Sequence, residues 1–178
     1  MTDRWFVSDT HFGHENTCVK FKMPDGVTPL RPFANAQEMD EEMVSRWNSR
    51  VKPGDRVYHL GDVVINRKHL STVGRCNGKK VLIKGNHDIF KLADYLPYFE
   101  DIRSYHVLPD ESIIASHIPI ARESFERFGF NVHGHTHANT LPDSRYICIC
   151  VEHTNFAPIH WDELMQLISE RKKLLGIG

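Results

Sequence analysis

The chain is predicted to be one layered α/β domain spanning residues 1–178, and three observations lead there. Short apolar runs of strand length recur at Trp5-Phe6-Val7, Val57-Tyr58-His59-Leu60 and Val81-Leu82-Ile83, with helix-like segments between them. Each run is followed at once by a turn that presents Asp or Asn, so polar groups collect at strand ends. The length of 178 residues and the 40% apolar content are enough for one sizeable core.

Composition excludes several classes. A formal net charge of −1 with 25% charged residues provides no basic footprint for non-specific nucleic-acid binding. The N-terminus lacks a charged-then-apolar leader, and no run approaches the roughly 18 apolar residues of a membrane span. A cytoplasmic protein without a membrane association is therefore expected, and no required protein partner is evident. The cysteines are Cys18, Cys76, Cys148 and Cys150, with no CxxC pair to suggest a structural zinc site. Cys148 and Cys150 alternate along one strand face, too far apart for an easy disulfide, so free thiols are expected. The outlier is histidine, present twelve times, and its positions need explaining.

In chain order, Arg4 to Ser8 reads as a first strand, followed at once by Asp9-Thr10-His11-Phe12-Gly13-His14. Residues 18–34 carry Pro24, Gly26, Pro29 and Pro32 and read as a loop. A helix is predicted over 36–50, because Asn35 and Glu38 form a capping-box pattern and Met39, Met43 and Trp47 recur every four residues. Pro53-Gly54-Asp55 makes a turn into the second strand, which ends at Gly61-Asp62. A helix near 66–75 leads to the third strand and to Lys84-Gly85-Asn86-His87-Asp88. After a short helix near 89–95, Tyr105–Val107 and Ser112–Ser116 pair around Pro109-Asp110, and the second member ends at His117. A polar segment over 119–129 precedes Gly134-His135-Thr136-His137. Arg145–Val151 is a last alternating strand, and Trp161, Leu164, Ile168 and Leu175 mark an amphipathic closing helix.

The polar strand ends form a pattern. Asp9-x-His11, Gly61-Asp62, Asn86-His87 and His117 each terminate an apolar strand, and a fifth element carries His135-x-His137. Ligands in layered α/β folds bind beyond the carboxyl ends of strands, so these five ends can converge. The pooled donors are carboxylate, imidazole and amide oxygen without thiolate, which suits divalent manganese, iron or zinc. They outnumber the needs of one tetrahedral site, so two ions are the economical reading.

At this point the residues resemble a known family. Asp9-x-His11, Gly61-Asp62, Gly85-Asn86-His87-Asp88, His117 and Gly134-His135-x-His137 resemble the five-block pattern of calcineurin-like metallophosphoesterases, in family order across residues 9–137. The continuation His11-Phe12-Gly13-His14-x-Asn16 is similar to that of the small, single-domain bacterial and phage members. The resemblance implies a four-layer α/β/β/α sandwich, with two mixed sheets flanked by helices. It also implies two divalent ions, manganese first, with iron, zinc, nickel or magnesium as alternatives. One ion would sit on Asp9, His11 and His137, and the other on Asn86, His117 and His135, with Asp62 bridging. The reaction implied is hydrolysis of a phosphomonoester or phosphodiester, nucleotide-derived and 2′,3′-cyclic esters among the candidates, by attack of a hydroxide shared between the ions. His87 would contact the phosphate and aid the leaving group, with Asp88 orienting it. Asn86 and His87 would face the substrate, and His14 and Asn16 are further candidates to touch it.

Other residues have plainer expectations. Thr10 shapes its loop, His59 packs or supports Asp62, and His133 is structural or supports a ligand. Arg31, Arg122 and Arg127 lie in segments that could line a cleft, although exposed arginines usually do no more than solvate. Two function classes compete with a small-ester hydrolase. One is a nuclease acting on nucleic-acid ends or short nucleic acid; the other is a metal-binding scaffold without catalysis. The scaffold reading fits poorly with a full ligand set and His87. A protein serine/threonine phosphatase is disfavoured, since Gly61-Asp62 is not followed by the Asp-Arg-Gly those enzymes resemble one another in carrying. Substrate choice is assigned to the loops at 18–34, 63–76 and 118–130.

Overall fold

β1 (Arg4–Val7), β2 (Arg56–His59), β3 (Lys79–Ile83) and β4 (Asp101–Arg103) pair in parallel, each beside its successor. A second sheet has the order β5 (Tyr105–Leu108), β6 (Ile113–Ser116), β7 (Phe130–His133), β8 (Tyr146–Cys148), antiparallel only at β5–β6. β9 (Ile159–His160) returns antiparallel to β1 and closes the free edge of the first sheet. Both sheets are therefore mixed. This computed structural model describes residues 2–177.

The helices are α1 (Asn16–Val19), α2 (Ala36–Arg50), α3 (Leu70–Gly74), α4 (Leu92–Tyr95), α5 (Arg122–Phe125) and α6 (Trp161–Leu175). The period-two alternation of the strands sends their side chains into two cores. Trp5, Val7, Val57 and Leu82 face one way, against Met39, Met43 and Trp47 of α2 and Val73 of α3. Phe6, Tyr58, Val81 and Ile83 face the other way, against Ile113, Ala115, Phe130 and Val132 of the second sheet. Leu164 and Ile168 of α6 join that inter-sheet core. Phe125 of α5 is buried with its ring 5.1 Å from Tyr146, placing that short helix beside β8.

Helix α2 has the bounds its sequence predicts, but its cap is one residue wider. Asn35 Oδ1 accepts from the Glu38 amide at 2.9 Å, whereas Glu38 Oε2 accepts from the Ala34 amide at 2.7 Å instead of reaching Asn35. The helix predicted over 66–75 divides into a 3₁₀ turn, Arg67–His69, and α3. The strand predicted over Arg145–Val151 is regular only across β8. Among the described residues, no helix is long and apolar enough to cross a membrane.

Candidate metal centre

The five polar strand ends follow β1, β2, β3, β6 and β7, and the pairing of the sheets brings them to one rim. The backbone there is unusual. Asp9, His11, Asp62, His135 and His137 have φ of 58°, 46°, 55°, 69° and 49°, in the left-handed region that non-glycine residues avoid. They account for five of the eight non-glycine residues with positive φ among those described. Conformations of this kind persist where surrounding structure over-determines them, and they concentrate at functional sites. Here the Asp9 amide donates to the Gly61 carbonyl at 3.0 Å, and the His11 amide to that of Asp62 at 3.1 Å. The first two strand ends thus hold each other in the strained form.

Two glycines permit the close approach. A Cβ at Gly85 would overlap the carboxylate and amide of Asp62, and one at Gly134 would overlap the side chains of Ser8 and Asp9. Only glycine lets the β3 and β7 turns come against those carboxylates.

The donors form two groups, Asp9 with His11 and His137, and Asp62 with His117 and His135, each with its ligand atoms within 4.8 Å of one another. Asp62 Oδ2 lies 3.6 Å from His11 Nε2 and 3.4 Å from His117 Nε2, so this one oxygen stands between the groups. Asn86 Oδ1 is 2.9 Å from His117 Nε2, which adds an amide oxygen to the second group. In the first group, Asp9 Oδ1 and both ring nitrogens of His11 are buried without hydrogen-bond partners. Orphaned buried donors and acceptors are costly, and a shared cation on that side satisfies them together. The residues fit a pair of divalent ions.

Electrostatics agree. Burial favours protonated Asp9, but the imidazoles of His11, His117 and His137 around it outweigh that and hold its carboxyl well below the ordinary range. Burial likewise opposes ionisation of Asp62 and is outweighed by His117 and His11. Burial depresses His11 more strongly than Asp9 raises it, leaving a neutral ring with free nitrogens. For His117, Asp62 and Asp9 outweigh burial and raise the value; for His137, Glu152 does so. Ionised carboxylates beside imidazoles, the inner ones buried and His135 and Asn86 exposed at the mouth, are the chemistry that binds a hard or borderline cation.

The other expected residues fare differently. His87 is exposed, its ring edge-on to His11 at 5.6 Å, and its amide donates to Asp62 Oδ1 at 2.8 Å. His14 also stands 5.6 Å from the His11 ring, with burial lowering it to about 4. Asn16 begins α1 with its side chain exposed; its carbonyl accepts from Lys20 and Phe21. Asp88 does not orient His87. Both of its carboxylate oxygens are taken by backbone, Oδ2 by the amides of Asp62 and Gly85 at 2.8 Å each and Oδ1 by that of Val63 at 3.1 Å. Asp88 therefore ties the β2 turn to the β3 turn.

Thr10 shapes its loop, donating to the Val63 carbonyl at 3.0 Å and meeting His59 Nε2 at 2.9 Å. His59 thus supports Thr10 instead of Asp62, and His133 is fully buried against the Gly134 carbonyl. Arg31 does not line a cleft. It is fully buried, with Nη2 on the Asp9 carbonyl at 2.6 Å and Nη1 on that of Thr10 at 2.7 Å. Arg122 pairs with Asp143 at 3.8 Å. Sequence reasoning missed Glu152, whose buried Oε1 holds Arg31 at 2.9 Å and His137 Nδ1 at 3.2 Å. A carboxylate directly after the apolar run Ile147–Val151 is costly to bury without a partner, and that signal was there to be read. Ser8 Oγ and Cys150 Sγ, which donate to Asp9 Oδ2 at 2.6 and 3.2 Å, offered no such signal.

No family model matches the chain. The whole chain aligns with 98% of the uncharacterized protein MJ1445 of Methanocaldococcus jannaschii, at 30% identity. Gene 66 protein of Mycobacterium phage L5 is 32% identical over 97 residues, covering 49% of this chain and 41% of the phage protein. Among solved structures, the protein of unknown function AQ665 from Aquifex aeolicus superposes with a TM-score of 0.68 at 26% identity, across 94% of this chain and all of that one.

Proposed function

We propose that this chain, which belongs to the same family as the archaeal protein MJ1445, is a calcineurin-like metallophosphoesterase hydrolysing a phosphomonoester or phosphodiester. The observation that carries the reading is the pairing of two donor groups around Asp62 Oδ2, with the buried donors of Asp9 and His11 unsatisfied. On this reading the chain is one domain whose two sheets are inner layers of a four-layer α/β/β/α sandwich. The α2–α3 side is one outer layer, and the α5 segment is a thin second one.

Asp9, His11 and His137 would hold one divalent ion, and Asn86, His117 and His135 the other, with Asp62 shared. Two such ions, when bound, supply an acidified water and neutralise phosphate charge for in-line displacement. The chain's own residues do the rest. Ser8, Cys150 and the His135 amide fix Asp9 Oδ2, leaving Oδ1 to face the site. Glu152 fixes His137 through Nδ1, so its Nε2 points inward. His87, anchored through its amide and exposed at the rim, contacts the phosphate and gives a proton to the departing oxygen. His14 lines the approach beside it.

The test uses purified protein stripped by chelator and reloaded with manganese, then with iron, zinc, nickel or magnesium. Hydrolysis of bis(p-nitrophenyl) phosphate is expected to vanish on stripping and to return on reloading. His87→Ala is expected to keep its metal while turnover falls by roughly 10²–10⁴-fold. Loss of metal from that variant would make His87 a ligand, and activity indifferent to chelator would overturn the reading.

A further inference from the structure

A cavity of about 510 Å³ opens on the outer face of the second sheet, between β5–β6 and the segment 118–128. Its size lies within the roughly 300–1,000 Å³ of small-molecule sites. Two properties separate it from an incidental groove. It shares His117 with the metal centre, and Lys84 in its wall stands two residues before Asn86, so the cavity borders the rim where the strand ends meet. Its walls also have two chemistries. Val107, Ile114, Ile118 and Phe128 with the ring of Tyr105 make an apolar slot, and Lys84 and Arg127 bring two cations to it.

Several of these groups are left without partners by the fold. Tyr105 is 58% exposed and Ile118 50% exposed, although both belong to the second sheet or its continuation. The short α5 and the 3₁₀ turn Glu126–Phe128 are too small to cover β5 and β6. Among the described residues, neither Lys84 nor Arg127 pairs with a carboxylate; Arg127 lies 4.5 Å over the Phe128 ring. A flat, apolar wall beside free cations, bordering the proposed phosphate-ester site, suits a planar ring that carries a second phosphate.

We propose that this cavity receives a nucleotidyl arm of the substrate, with the base in the slot between Tyr105, Ile118 and Phe128 and a second phosphate on Lys84 and Arg127. The assignment rests on the phosphoesterase reading and narrows it to nucleotide esters. It also gives Arg127 a specificity role, and it explains why a catalytic rim is bordered by exposed apolar side chains.

Three diesters with the same p-nitrophenolate leaving group separate the contributions. They are methyl p-nitrophenyl phosphate, thymidine 5′-(p-nitrophenyl phosphate) and the 3′-phosphate of the latter. With the manganese-loaded full chain, kcat/KM is expected to rise about tenfold from the methyl to the thymidine ester, the scale of one stacked base. It should rise about tenfold again with the 3′-phosphate, the scale of a charge-assisted contact. Arg127→Ala should remove the second increment and Ile118→Asp the first, each judged as a ratio to the methyl ester in the same variant. Lys84→Gln provides an independent loss of the second increment if Arg127→Ala does not fold. Hydrolysis of all three esters at equal kcat/KM would overturn the pocket assignment and leave the phosphoesterase reading standing. Hydrolysis of the monoester p-nitrophenyl phosphate but of none of the three diesters would overturn the pocket assignment alone, and hydrolysis of none of the four would overturn both.

Discussion

At the scale of single residues, the site depends on carboxylates whose two oxygens do different jobs. Asp9 gives Oδ2 to Ser8, Cys150 and the His135 amide and keeps Oδ1 free; Glu152 gives Oε1 to both Arg31 and His137. Glu152 acts through the ring it orients, so Glu152→Gln is expected to weaken metal retention by roughly 10–100-fold. Metal-binding titration followed by elemental analysis measures this. The amide keeps a polar atom for Arg31, whereas Glu152→Ala would bury an unpaired guanidinium and unfold the chain by about 3–5 kcal/mol. Glutamine at wild-type metal affinity would reduce Glu152 to a partner of Arg31 alone. The candidate ligands were legible because an acid or imidazole directly after a buried strand is expensive without a partner. Glu152 has the same property and was overlooked because nothing pairs it with a second donor in sequence. Arg31 was misread because a proline-rich loop suggests exposure, while the structure folds that loop over the Asp9 turn.

At the scale of elements, turns are coupled to turns. Asp88 accepts from three amides on two different strand ends, so it sets where Asp62 stands relative to Asn86. Asp88→Ala leaves those three amides without their acceptor, at about 1–3 kcal/mol for each that stays dry. It is expected to lower both the urea midpoint and the metal content. A variant that kept stability and metal yet lost turnover would return Asp88 to the role of supporting His87. A second coupling runs from α2 to the first turn, where Asp40 Oδ1 accepts from the Gly13 amide at 2.9 Å. Burial raises Asp40 from 3.8 to about 6, so its ionised form opposes folding. That penalty is absent below the free value, sets in as pH rises towards 6, and is constant above it. Asp40→Asn should therefore be more stable by about 1 kcal/mol at pH 7.5, with solvent screening limiting the gain, and no more stable than wild type near pH 3.5. An equal gain at both pH values would remove burial of charge as the cause. Elements with strong periodicity, such as α2 and α6, were legible to within a residue or so. β4 and β9 were not, because three-residue and two-residue edge strands owe their existence to a neighbour's open hydrogen bonds and leave no local pattern.

At the scale of the whole molecule, two sheets are pressed together so that five strand ends meet, and the meeting point is a poor place for a protein alone. It gathers ionised Asp9 and Asp62, unsatisfied His11 and five left-handed residues, and the two hydrophobic cores must outweigh all of it. Cations that bind the folded rim and not the unfolded chain shift the balance by mass action. At 100 times the dissociation constant the gain is about 2.7 kcal/mol, worth roughly 5–10 °C for a chain of this size. Calorimetry with and without manganese is expected to show that rise, and Asp62→Ala, which removes the shared oxygen, should abolish it while retaining a cooperative transition. The rise should also shrink as pH falls, since protons compete for the same imidazoles and carboxylates. A melting temperature unchanged by manganese at neutral pH would mean that the strained rim is held by the protein alone, and the two donor groups would then lose their assignment as a metal centre.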